Sequence, residues 1–162
     1  MNKQDIILQQ SEKFFSAEEA RTQQLDEKAE KVIAAIVVVV GFHLVDINRL
    51  AFAGRPEVVL SSWIAAFALI ILGAAIVFAL VSRRVQAYVS YPRGLKLIDD
   101  LRDQAIDEEG SKLLIARMNL CAHDCNAQLN DTRAKLLSIS GTMLVAGFLL
   151  AVASIAIVKI AK

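Results

Sequence analysis

The stretch VVLSSWIAAFALIILGAAIVFALV, residues 58–81, runs for 24 residues without a charge. An α-helix crosses the roughly 30 Å hydrocarbon core of a bilayer in about 20 apolar residues, so this segment is long enough to span. A second run, LLSISGTMLVAGFLLAVASIAIV, covers residues 136–158 and is 23 residues long. Hydrophobic residues make up 56% of the 162-residue chain, against roughly 45–50% in an ordinary soluble domain. Its 18 Lys+Arg and 17 Asp+Glu fall mostly outside the two runs. This distribution predicts an integral membrane protein. It argues against a soluble catalytic domain of usual size. The two cysteines, Cys121 and Cys125, allow one bridge at most, which excludes a disulfide scaffold. A net charge of +1 with no basic block argues against a nucleic-acid polymer as partner.

Working outward from residue 58, Gly54-Arg55-Pro56 breaks whatever helix precedes it, because proline cannot donate to the preceding turn. Before the break lies a further span over residues 32–53, wholly apolar from Val32 to Phe42 apart from Gly41 and carrying His43, Asp46, Asn48 and Arg49 in its second half. Spans one and two then form a tight hairpin. Residues 1–31 hold 5 basic and 7 acidic side chains and do not read as a signal peptide. Free of Gly and Pro, they read as an amphipathic helix with a thin stripe of Ile7, Phe14, Phe15, Leu25 and Val32, too narrow to fold without a partner helix.

The first loop carries only Arg49 and Arg55, whereas residues 82–137 carry nine Lys and Arg, beginning with Arg83-Arg84. The positive-inside rule puts the N-terminus and residues 82–135 in the cytoplasm. Residues 82–135 read as a helical hairpin. Its first helix opens near Pro92 and carries Leu95, Ile98, Leu101, Ala105 and Ile106, and its second starts at Gly110-Ser111 with Ser111 as N-cap. That second helix runs into span three without a breaker. The expected architecture is all-α, with three transmembrane helices and a cytoplasmic helical bundle formed by the N-terminal helix and the loop between spans two and three.

No phosphate-binding glycine loop, zinc-protease helix, nucleophile elbow or dinucleotide fingerprint is present, so an enzyme is not expected, nor a cofactor or metal. Three groups of residues remain as candidates. In span one, His43 falls near mid-bilayer and Asp46 within it, and an ionised carboxylate there costs on the order of 2.5–3.5 kcal/mol. In an assembly, Asp46 and His43 would form a polar pore lining above an apolar constriction of Phe42, Val39 and Val38. The alternative ends the span near Leu44, with Asp46 and Arg49 paired among the headgroups. Second, Cys121 and Cys125 share a helix face and read as small core fillers on the seam of Leu114 and Met118. Third, Asn119, His123, Asn126, Asn130 and Arg133 are spaced 4, 3, 4, 3 along one helical seam. Such a row contacts a small polar ligand, bonds the N-terminal helix through residues such as Gln23 or Gln24, or is solvated. Ser61-x-x-x-Ala65, Ser62-x-x-x-Ala66, Ala75-x-x-x-Ala79 and Gly147-x-x-x-Ala151 would let helices approach closely, and a homo-oligomer is expected.

The order of elements is itself informative. A helix ends in Leu25-Asp-Glu-Lys-Ala29 before span one; a tight hairpin and a helical insert follow; then a long helix carries Asn126, Asn130 and Arg133-Ala-Lys-Leu-Leu137 into span three. This layout, across nearly the whole chain, resembles the small membrane effectors of bacterial anti-phage defence, the Pycsar membrane effector family and SLATT-type modules. The resemblance implies a pore-forming or membrane-disrupting effector in the bacterial inner membrane, triggered by a cyclic nucleotide. Candidate ligand contacts are Arg93, Lys96, Arg117, Asn126, Asn130 and Arg133, with Lys135 beside them; none is matched to a family motif. The competing reading is a non-conducting scaffold or accessory subunit whose cytoplasmic helices dock a partner protein.

Overall fold

A computed structural model describes residues 3–50, 56–84 and 107–160, the side chains of residues 45–50, 56–58 and 158 excepted. Among these residues every element is an α-helix: α1 (Lys3–Leu50), α2 (Pro56–Arg84) and α3 (Glu108–Ile160). The expected helix opening near Pro92, with Arg93 and Lys96, lies outside the described residues.

Local chemistry accounts for both ends of α2 and for the start of α3. Pro56 opens α2, where its missing N–H costs nothing, and Arg83 and Arg84 close it against the negative end of the helix dipole. Asp107, not Ser111, caps α3: its Oδ1 accepts from the Gly110 N–H at 2.8 Å, and its carbonyl accepts from the Ser111 N–H at 3.0 Å. Gly110 therefore sits inside the first turn rather than before it. A glycine there is tolerated because the cap and the acidic Glu108 and Glu109 offset its poor helix propensity.

The chain divides into two compact units, Met1–Leu25 with Val85–Thr132, and Asp26–Arg84 with Arg133–Lys162. In the first, α1 and α3 lie parallel. Their bonded partners are separated by a nearly constant 105 to 112 positions, from Gln4 with Glu109 to Asn130 with Glu18. In the second, α2 runs antiparallel to α3, with contacts spaced in multiples of seven residues: Ser61 meets Ser154, Ala75 meets Ser140 and Ser82 meets Arg133. The buried face of α2 is Ser61, Ala65, Ala68, Leu72, Ala75, Ala79 and Ser82, a strict alternation of four- and three-residue steps. That 3.5-residue period keeps a narrow seam facing its neighbours along the whole helix. Ile36 of α1 joins Leu72 and Ala75 in the apolar centre, with Val32, Val39, Val40, Ile76, Met143 and Leu144 around them.

Two helices, Val59–Arg84 and Glu108–Ile157, are long and apolar enough to cross a membrane. Only 28% and 22% of their most apolar windows is buried within the protein, where the core helix of a soluble domain would be mostly covered. Many large apolar side chains of this unit are exposed, among them Val37, Val38, Phe42, Trp63, Phe67, Ile70, Val145, Phe148 and Leu149.

Candidate functional site

His43 is 2% exposed and turned into the second unit, with Nε2 3.4 Å from the Ala65 carbonyl oxygen and Nδ1 buried without a partner. Val39 is half-buried against the apolar centre, while Val38 and Phe42 face outward, Phe42 being 74% exposed. His43 and Val39 thus lie on the interior face of α1 and Phe42 and Val38 on its outer face. Asp46, with its alternative partner Arg49, lies outside the described side chains.

The polar row proves to be an inter-helix seam. Asn119, Asn126, Asn130 and Arg133 are all buried and His123 is half-buried. Within the first unit, Asn119 Nδ2 donates to Ser11 Oγ at 3.1 Å. Asn130 Nδ2 donates to Glu18 Oε2 at 2.8 Å and shares a hydrogen bond with the Thr22 hydroxyl. His123 packs its ring against Phe14 at 5.6 Å between centroids. The partners are therefore Ser11, Glu18 and Thr22. Gln23 and Gln24, named from sequence, are exposed. They sit one and two positions beyond Thr22, rotated off the seam by about 100° per residue.

Ion pairs frame this seam. Arg21 reaches Asp131 at 2.6 Å, and this hydrogen bond, with help from Glu18, raises the guanidinium above its ordinary value. Lys112 binds Asp5 and Glu108, each at 2.8 Å, and the bond to Asp5 is the largest cause of a strongly raised ammonium pKa. Arg117 and Lys135 are exposed.

The cysteines do not fill a core: Cys121 and Cys125 are both exposed. The reason is rotational. The buried seam of α3 passes through Ala116, Asn119, Ala122 and Asn126, so positions 121 and 125 each fall one residue before it. Among the described residues no group of three or more His, Cys, Asp and Glu could hold a metal ion.

The second unit carries a set of contacts that hydrophobicity alone does not reveal. Ser61 Oγ donates to the Ser154 carbonyl and Ser140 Oγ to the Ala75 carbonyl, both at 2.7 Å, and both bonds are buried. Between those levels, Gly147 passes so close to α2 that a Cβ would come within 2.7 Å of Leu72 Cγ and Cδ2. Ser61/Ala65, Ala75/Ala79 and Gly147/Ala151 all lie on buried faces, whereas Ser62 and Ala66 do not. The legible signal is residue size at heptad spacing within an otherwise uniformly apolar run. No family model matches this chain, and neither does any curated protein or solved structure.

Proposed function

We propose that this protein is a membrane effector without catalytic chemistry, which assembles with copies of itself into a pore or membrane-disrupting device. In this reading residues 32–53, which begin within α1, form a third crossing. The N-terminus and residues 82–135 lie on the cytoplasmic side of a bacterial inner membrane, and a cytoplasmic signal, a cyclic nucleotide in anti-phage defence, controls opening.

The observation that carries this reading is the inverted second unit. Large apolar side chains such as Phe42, Trp63, Phe67 and Phe148 face outward, while His43, Ser61, Ser82, Ser140 and Ser154 are turned inward. Without water to satisfy them, polar groups in a bilayer face protein, and apolar groups face lipid. A protomer with polar groups on the inside is a closed one. Conduction then needs a rearrangement that brings His43, and Asp46 with it, to a lumen. The helices that would carry such a movement are α1 and α3, which each contribute to the charged unit and to the apolar one.

Ion flux through liposomes holding the purified protein, with and without a panel of cyclic nucleotides, tests the proposal. Flux that appears with one nucleotide only is the expected result. Absence of flux in every condition, with insertion verified, rejects it in favour of the scaffold. The scaffold reading is supported by one specific feature, the hydroxyl-to-carbonyl bonds of Ser61 and Ser140, which favour a fixed helix pair.

A further inference from the structure

All three helices of the unit Asp26–Arg84 and Arg133–Lys162 meet at one side chain, Arg133 of α3. Its side chain is 2% exposed. Nε donates to the Ser82 carbonyl oxygen of α2 at 3.0 Å, and Nη2 donates to the Asp26 carboxylate of α1. The Ser82 hydroxyl donates back to the Arg133 carbonyl oxygen at 3.2 Å. Ser82 lies in the last turn of α2, where carbonyls lack intrahelical partners and the helix dipole is negative. A guanidinium placed there caps a helix other than its own. Beside it, Arg83 of the same turn reaches Glu30 of α1 at 3.1 Å, in a more exposed pair.

We propose that Arg133 is a latch: it fastens the C-terminal turn of α2 to α1 and α3, and its release loosens that end of the bundle. One helical turn from Asp26, Ser82 and Arg133, further into the unit, the buried side chains are Ala29, Ala79 and Leu137, two of them single methyl groups that offer little apolar mass to hold the helices together. A buried charge also makes the contact two-sided. With both partners in place the guanidinium is satisfied; with either removed, a buried charge or carbonyl is left unpaired and drives the helices apart. Loosening is the step that precedes opening, and this consequence alone rests on the effector reading; the latch is a statement about packing.

The full-length protein in liposomes, with Cys121→Ser and Cys125→Ser to remove the exposed thiols, tests it through two single-cysteine reporters. Ala79→Cys lies beside the latch and Ala68→Cys deeper in the same seam, and both native alanines are fully covered. With the latch intact, a water-soluble maleimide is expected to react slowly at both. Asp26→Asn and Arg133→Gln are expected to speed labelling at position 79 by about tenfold or more, as befits loss of a charge-assisted contact. Arg133→Lys should give a smaller rise, since an ammonium cannot reproduce the two-pronged contact. Position 68 should stay protected. Unchanged labelling at position 79 overturns the latch, and so does an equal rise at position 68, which means general unfolding. Ion flux measured on the same liposomes separates the two ideas. Faster labelling without flux keeps the latch and rejects the pore, while flux without faster labelling rejects the latch.

Discussion

The two units solve the same packing problem with opposite materials. Met1–Leu25 with Val85–Thr132 buries asparagine and serine beneath a surface rich in charge, with Asn119 on Ser11 and Asn130 on Glu18 and the half-buried Thr22. Asp26–Arg84 with Arg133–Lys162 buries alanine, serine and glycine beneath valine, phenylalanine and tryptophan. In water, apolar burial holds helices together and a buried amide costs stability while fixing register. In lipid, an apolar side chain gains nothing by leaving the outside, so close backbone approach and short polar bonds must do the holding. On the proposed membrane placement, the difference between the units is a difference of solvent.

Gly147 is the position where a substitution is expected to cost most. Gly147→Leu drives a side chain into Leu72 and is expected to cost about 3 kcal/mol, read from unfolding in mixed micelles. Gly141, with nothing within 4 Å of a Cβ, gives the contrast: Gly141→Ala is expected to be neutral or to stabilise by up to ~1 kcal/mol through helix propensity. Equal effects at the two glycines would remove close approach as the principle of the second unit.

Deleting one polar partner in each unit sharpens the contrast. Asn130→Ala leaves Thr22 and Glu18 without their amide partner and is expected to cost about 2 kcal/mol by the same measurement. Ser140→Ala removes one hydroxyl from a seam whose carbonyl already has its helical partner. About 0.6 kcal/mol is expected, near the average for hydrogen bonds between membrane helices. A larger loss at Ser140 than at Asn130 would reverse the account.

The smallest effect belongs to the Lys112 pairs. Because Asp5 and Glu108 raise the Lys112 ammonium, their contribution is complete below the ordinary lysine value and is lost as pH rises through the raised one. Amide protection at the start of α1 is therefore expected to hold across neutral pH and fall only beyond the ordinary lysine range. Lys112→Met should abolish that fall. A loss of protection confined to acidic pH would contradict the assignment.

Much of this arrangement is legible in the sequence, and the parts that are not share a cause. The charge-free runs locate α2 and the apolar end of α3 because length and polarity suffice to find them. The 4, 3, 4, 3 spacing from Asn119 to Arg133 marks a seam, but spacing on one helix does not name the partner on another. Ser11, Glu18, Thr22 and Asp26 become recognisable only once the parallel register is known. Cys121 and Cys125 share a helix face, but a single residue of rotation moves a side chain from seam to surface, and the seam passes through Ala122 and Asn126 instead. In the second unit every face of α2 is apolar, so hydropathy carries no information about which face is buried, and only the recurrence of small residues does. The His43 ring, with its buried Nδ1, is legible as a residue out of place in an apolar span but not as one turned toward Ala65.

The inverted packing of the second unit is the claim on which the rest depends, and the chain's single tryptophan tests it directly. Trp63 is 73% exposed on the outer face of α2. In liposomes of lipids brominated along the acyl chain, its fluorescence is expected to be strongly quenched while aqueous iodide leaves it unchanged. Quenching by iodide with no effect of the brominated chains would place that face in water and contradict the account.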